Sequence, residues 1–322
     1  MITILTSFSI TFILLIVLLK TRLVDFALDK PNARSLHTRL TPRTGGLAVM
    51  FGVLLTWLIA HVDYSWVLLA FTLVSVSLVD DVRGLSVRWR FLVQLVTCGI
   101  FVLLNHQGIH FLLLLPVWLG LVWMTNLYNF MDGSDGLAGG MGLFGFATYA
   151  MAAYWSGDIS LAIMSASISV SCLAFLIFNF HPAKIFMGDS GSVPLGFLAG
   201  AIGIFGVTHG EWPIWFPILV FAPFIVDATV TLLKRLSKGE RLSQAHRHHY
   251  YQRLVQIGWG HKKTAIAEYM LMLLGSASAL YILQYSLQLS NFFIASLLAI
   301  WILIYLLIMA YINKCWKQQL SE

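Results

Sequence analysis

The sequence predicts an all-α integral membrane protein, and three observations carry that prediction. Of 322 residues, 59% are hydrophobic and only 11% charged, against about a quarter charged in soluble chains. That much apolar surface cannot all enter a soluble core at this length, so lipid is the solvent. Apolar runs of near-spanning length recur along the whole chain, and they lack the period-two alternation of a membrane β-barrel. The net charge of +6 then reads as a topology signal, with no nucleic-acid partner expected. Cys98, Cys172 and Cys315 are scattered and odd in number, which fits free thiols better than a disulfide framework.

The runs fall near residues 3–19, 44–60, 65–79, 91–104, 111–127, 137–155, 159–178, 192–207, 212–233, 265–287 and 292–312, so about 11 transmembrane helices are expected. The third, fourth and eighth are short and need flanking residues to complete a crossing. No Lys or Arg precedes the first run, whereas Lys20 and Arg22 follow it. That is the reverse of a cleavable signal peptide, so a spanning helix with its N-terminus outside is expected. Strict alternation then puts 20–43, 80–90, 128–136, 179–191, 234–264 and the tail after 312 in the cytoplasm. All 20 Lys and Arg residues fall in those segments, which supports both count and orientation. The expectation is one polytopic domain over 1–322 with a cytoplasmic C-terminus. The opposite loops are too short for a domain, so function is sought at the cytoplasmic face.

Acids near a membrane are costly unless used or neutralised. Asp80, Asp81, Asp132, Asp135, Asp189 and Asp227 lie at or near cytoplasmic helix ends, Asp227 deepest, while Asp63, Asp158 and Glu211 read as solvated loop residues. Converging aspartates without thiolates suit a hard cation, Mg²⁺ or Mn²⁺. The Asp80-Asp81 pair either ends a helix, with Arg83, Arg88 or Arg90 neutralising it, or serves function. Asn126, Asn129, Asp132 and Asp135 recur at every third position, with Gly133 and Gly136 able to loosen the turn. In the loop carrying Lys184 and Gly188-Asp189-Ser190-Gly191, Asp189 is either an N-cap or a metal ligand at an anion-accepting helix start. The basic 234–264 loop centres on His246-Arg247-His248-His249-Tyr250-Tyr251. It reads either as a topology and anionic-lipid element or as donors for phosphate with rings for a base. Asp29 to His37, then Pro42-Arg43-Thr44-Gly45-Gly46, join basic groups to glycines at a helix start, as turn chemistry or as an anion site.

Together these blocks resemble the polyprenyl-phosphate N-acetylhexosamine-1-phosphate transferases. The matching strings are Asp-Lys-Pro…Arg-Ser-x-His, Pro-Arg-x-Gly-Gly, the Asp80-Asp81 pair, Asn-x-x-Asn-x-x-Asp-Gly-x-Asp-Gly, His-Pro-Ala-Lys-x-Phe-Met-Gly-Asp-x-Gly-Ser and a late His-x-His-His, in family order from Asp29 to about Arg253. The resemblance implies a ten- or eleven-helix enzyme of the bacterial inner membrane that moves a sugar 1-phosphate from a UDP-N-acetylhexosamine to undecaprenyl phosphate and releases UMP. N-acetylglucosamine is the default sugar, with its 6-deoxy relatives open. The His-Arg-His-His string looks closer to enzymes that initiate O-antigen than to those of peptidoglycan. By position, Asp189 is the expected magnesium ligand, with Asp80 and Asp132 in the metal set and Asp80, Asp81, Asp132 and Asp135 catalytic. Asn129, Lys184, Arg43, His246, Arg247, His248 and His249 are the expected substrate contacts. Membrane lipids are further partners, and a homodimer is expected by analogy.

The chemistry is coherent on its own terms. Both substrates bear phosphates, so a divalent cation and basic groups must offset their repulsion. A phosphomonoester has its second pKa near 6 and is mostly dianionic at neutral pH. The aspartate pair is therefore expected to act through metal and orientation rather than proton removal. The rival reading is a secondary transporter for an anionic solute, which should place its charges near the bilayer midplane and show a repeat. A zinc protease is excluded by the absence of His-Glu-x-x-His.

Overall fold

The computed structural model describes residues 2–21, 27–29, 36, 40–240 and 246–321. The described residues are nearly all helical: α1 (Ile2–Lys20), α2 (Gly45–Ile59), α3 (Tyr64–Arg83), α4 (Val87–Leu104), α5 (Phe111–Phe130), α6 (Leu137–Ser156), α7 (Ile159–Asn179), α8 (Asp189–Thr208), α9 (Trp215–Val220), α10 (Ala222–Ser237), α11 (Tyr250–Leu254), α12 (Gly260–Gln284) and α13 (Asn291–Ser321). A π-turn over Val255–Trp259 joins α11 to α12, and two-residue strands β1 (Leu28–Asp29) and β2 (Thr41–Pro42) pair antiparallel. Lys30 to Ser35, His37 and Arg241, parts of two predicted motifs, lie outside the described residues.

Among the described residues, eight helical segments are long and apolar enough to cross a membrane. This is a multi-pass helical membrane protein. Its surface is inverted relative to a soluble protein: Phe71, Leu103, Phe111, Leu306 and Leu307 are exposed, as lipid-facing side chains are. Inside, polar side chains join helices. Ser7 and Thr11 of α1 hydrogen-bond Ser171 of α7 at 2.8 and 3.0 Å, and Trp57 of α2 donates to Ser167 at 2.8 Å. Such bonds hold helices together where lipid gives no hydrophobic drive.

The three short apolar runs become full helices by taking in their polar flanks. α3 extends through Asp80 and Asp81, α4 begins before Arg88 and Arg90, and α8 begins at Asp189. Charged residues are thereby fixed rigidly at helix ends. The predicted ninth span, by contrast, is two helices. Pro223 lacks the N–H that would bond Leu219 O, so the chain breaks at Phe221 between α9 and α10. Asp63 and Asp158, expected to be merely solvated, are N-caps: they accept from Ser65 N at 2.7 Å and Leu161 N at 2.9 Å. Accepting the Ser65 amide holds the Asp63 carboxyl below its ordinary range.

α8 lies at the centre of the bundle and packs on α3 and α5. Its first turn meets that of α2 so closely that a Cβ on Gly46 would lie 2.3 Å from the Gly191 Cα. Only glycines allow that approach. It brings the Pro-Arg-x-Gly-Gly block against the Phe-Met-Gly-Asp block, where Phe186 N bonds Pro42 O at 2.7 Å and Gly45 N and Gly46 N bond Phe186 O and Met187 O at 2.9 Å.

Candidate active site

A cavity of about 620 Å³ opens at one end of the bundle, where α3 and α5 end and α4 and α8 begin. Its lining includes Arg43, Arg90, Asp132 and Asp189 together with His246, His249 and Gln252. Leu73, Val76, Phe91, Phe130, Val193 and Leu232 form an apolar flank. A polar pocket thus runs into a greasy wall within one opening.

The Asp80-Asp81 pair divides its work. Asp80 Oδ1 accepts from Leu85 N at 2.6 Å, and its Oδ2 meets Arg90 Nη1 at 2.5 Å. The same nitrogen reaches Asp189 Oδ2 at 3.0 Å. Asp81 turns both oxygens to the start of α8, accepting from Ser190 N at 3.0 Å and Asp189 N at 3.3 Å. It therefore caps α8 from another helix, and a carboxylate there is also favoured by the helix dipole. Gly188, at φ +72°, permits this: a Cβ there would lie 2.5 Å from the Arg43 carbonyl oxygen.

The Asn/Asp series splits at Phe130, where α5 ends. Asn126 and Asn129 ride on the helix; Asp132 and Asp135 lie in the following turn. Asn126 bonds Gln94 Oε1 at 2.9 Å, and Asn129 Oδ1 accepts from Ser192 of α8 at 2.8 Å. Asp132 faces the cavity; burial first, then the neighbouring carboxylates of Asp189 and Asp81, push its carboxyl well above the usual range. Asp135 is buried, and its Oδ2 accepts from His181 Nδ1 at 2.6 Å and Ala183 N at 3.1 Å. It anchors the 179–191 segment, as does Asn179, which bonds Gly136 N at 2.9 Å and Ile185 O at 2.8 Å. His261 completes the cluster. Its Nδ1 accepts from Ser134 Oγ at 2.8 Å, and its Nε2 donates to Leu36 O at 3.2 Å, a tautomer assigned from these partners.

The histidine motif is likewise divided. His246 and His249 line the cavity, their rings 4.8 Å apart, whereas Arg247 and His248 are exposed and do not. Burial, then His249 and Arg235 beside it, push the His246 pKa down to about 4, so this imidazole is neutral at pH 7. Buried Asp227 sets the motif in place. It accepts from Tyr250 N at 2.8 Å, Tyr251 N at 2.9 Å, Thr231 Oγ1 at 3.1 Å and His249 Nδ1 at 3.3 Å.

The cavity therefore unites Arg43, Asn129, Asp132, Asp135, Asp189, His246 and His249 of the predicted set. Asp80 and Asp81 stand behind Asp189 and touch it through Arg90 and the backbone. Lys184 is exposed and off the cavity. Among the described residues, no three His, Cys, Asp or Glu side chains already form a metal-ligating cluster. Three contributors were not singled out from sequence. Arg90 was one of three arginines near the acid pair, Asp227 was noted only for its depth, and His261 carried no signal beyond its place at a basic helix start.

A helical membrane bundle with a carboxylate- and arginine-lined cavity at one end has the architecture of a membrane-embedded enzyme. Residues 64–207 match Glycosyl transferase family 4. A probable undecaprenyl-phosphate N-acetylglucosaminyl 1-phosphate transferase of Bacillus subtilis (strain 168) is 30% identical over 294 residues, 83% of this chain and 80% of the relative. A decaprenyl-phosphate N-acetylglucosaminephosphotransferase of Mycobacterium leprae (strain TN) is 29% identical, over 79% of this chain and 77% of the relative. A phospho-N-acetylmuramoyl-pentapeptide-transferase of Staphylococcus saprophyticus is 29% identical, over 69% of this chain and 79% of the relative. The chain belongs to the polyprenyl-phosphate hexosamine-1-phosphate transferase family, as its motif blocks indicated.

Proposed function

We propose that this protein transfers N-acetylglucosamine 1-phosphate, or that of a 6-deoxy relative, from a UDP-sugar to undecaprenyl phosphate in a bacterial inner membrane. The product would initiate a cell-surface polysaccharide such as O-antigen. The observation that carries this reading is the joining of the charged pocket to an apolar flank in one cavity, which suits a nucleotide sugar and a lipid phosphate meeting end to end. The confinement of all 20 Lys and Arg residues to alternate inter-span segments of the sequence supports about 11 crossings, an outside N-terminus and a cytoplasmic site.

An oxygen of the lipid phosphate attacks the sugar-bearing phosphorus; its bond to the UMP oxygen breaks, and UMP leaves with that electron pair. Asp132 and Asp189 present hard oxygen donors to the cavity, and a Mg²⁺ ion needs only one or two carboxylates besides water and substrate phosphates. The residues present therefore fit Mg²⁺ or Mn²⁺, which would supply charge neutralisation for the leaving phosphate. Asn129 and Ser192 fix the wall beside Asp132. His246, neutral at pH 7, and His249 offer ring and hydrogen-bonding edges to the nucleotide. Arg43 offers a cation for phosphate.

The test is to incubate membranes containing the protein with undecaprenyl phosphate and a panel of UDP-amino sugars, UDP-N-acetylmuramoyl-pentapeptide included. UMP release is expected with UDP-N-acetylglucosamine or a 6-deoxy relative, and is expected to stop when Mg²⁺ is chelated. Release with the muramoyl donor alone would overturn the sugar assignment, and release with none would overturn the function.

Asp80 supplies a second test. Both its oxygens are engaged, by Leu85 N and Arg90, and the lipid phosphate is mostly dianionic at neutral pH. Asp80→Asn should lower the rate at every pH and keep the wild-type profile. Recovery to the wild-type rate at high pH would instead make Asp80 a proton acceptor.

A further inference from the structure

We propose that Arg90 is an exchangeable counter-ion: a divalent cation at Asp80 and Asp189 displaces its guanidinium, which then donates to a substrate phosphate. The second half rests on the transferase reading above; the exchange itself rests on geometry and charge. One nitrogen, Arg90 Nη1, stands between Asp80 Oδ2 at 2.5 Å and Asp189 Oδ2 at 3.0 Å. These oxygens come from two packed helices, the end of α3 and the start of α8. A cation held by either carboxylate would draw on oxygens that this nitrogen now engages, so the two would compete.

Charge balance gives the direction. Asp80, Asp81, Asp132 and Asp189 interact with one another and with Arg43 and Arg90. With Asp29, which pairs with Arg43, five carboxyl groups stand against two guanidiniums in that group, which favours entry of a further cation. A substrate phosphate arriving there would gain a second guanidinium beside Arg43 if Arg90 left its carboxylates. Arg43 also lines the cavity and pairs with Asp29 at 3.7 Å, away from the Asp80–Asp189 gap. Arg90 sits in the first turn of α4, is one third exposed and already lines the cavity, so its side chain can turn without moving the helix. Asp80 stays behind when it does, because Leu85 N holds its other oxygen at 2.6 Å. Once released, a planar guanidinium suits bidentate donation to phosphate.

The experiment measures Mn²⁺ binding to the purified full-length protein in detergent by electron paramagnetic resonance, for the wild type, Arg90→Gln and Arg90→Lys. With the competitor gone, Arg90→Gln should bind Mn²⁺ about tenfold more tightly. Arg90→Lys, which keeps a charge between the acids, should fall between the two and carries the comparison if the glutamine variant does not fold. The Arg90→Gln enzyme should also show a KM for the UDP-sugar raised about tenfold, with a smaller change in kcat. A static bridge would behave otherwise: Mn²⁺ affinity unchanged or weakened in both variants would overturn the proposal. Tighter Mn²⁺ binding in variants of a protein whose wild type transfers no sugar phosphate would keep the exchange and sink the transferase reading instead.

Discussion

Asp189→Asn is expected to lower sugar-phosphate transfer by about a thousandfold or more, roughly 4 kcal/mol of transition-state stabilisation, with little loss of fold. Asparagine has the size of aspartate, and the helix start does not depend on the side chain it replaces. The cap of α8 comes from Asp81, which accepts from the backbone of residues 189 and 190. Those bonds survive the substitution. The lost charge is the one carboxylate in the group that faces the cavity, touches Arg90 and opens the central helix. An asparagine carbonyl is a weaker ligand for a hard cation and leaves Asp80 as the charged partner of Arg90. The check is UMP release under saturating substrates, alongside thermal unfolding to establish that the variant is folded. An Asp189→Asn protein that made lipid-linked sugar at the wild-type rate would remove Asp189 from the site.

Most helices, and the end of the bundle that carries the chemistry, could be read from sequence because lipid makes both costly to disguise. A crossing needs an uninterrupted apolar run, and charged residues are driven to its ends. Asp132, Asp189 and His249 therefore announce themselves as polar residues at the edges of apolar segments, and they do meet in one cavity. What the residues bond to was not legible. Asp81 caps a helix 109 residues away, and Asp135 holds a loop 46 residues away. Such pairings depend on which helices pack together, and no local pattern encodes that. Arg83, Arg88 and Arg90 were equivalent as neighbours of the acid pair, and only the packing of α3 against α8 selects Arg90. In the histidine motif, positions three apart face the cavity and the two between them do not. The break between α9 and α10 was signalled by Pro223, but the hydropathy of the run around it outweighed that signal.

Asp227→Ala should destabilise the protein by about 3 kcal/mol and weaken binding of the nucleotide sugar in the same stroke. The carboxylate is buried and accepts four hydrogen bonds, two of them from the consecutive amides of Tyr250 and Tyr251. Alanine leaves those amides and the His249 imidazole without acceptors in buried surroundings. An unsatisfied buried donor costs about 1–3 kcal/mol, so three of them exceed anything relaxation of one short helix recovers. Asn is no remedy, because its single oxygen can serve one amide while its NH₂ group faces the other donors. Asp227→Asn should therefore lie between wild type and alanine in thermal unfolding. The functional consequence follows from the chain order. His246 and His249 precede the first turn that Asp227 pins, and both line the cavity. Freeing that turn should raise the donor KM about tenfold while kcat falls less, since the aspartates around Asp189 are untouched. Thermal unfolding in detergent and donor titration of the two variants provide the check. An Asp227→Ala enzyme with wild-type stability and an unchanged donor KM would show that α11 holds its place without this carboxylate.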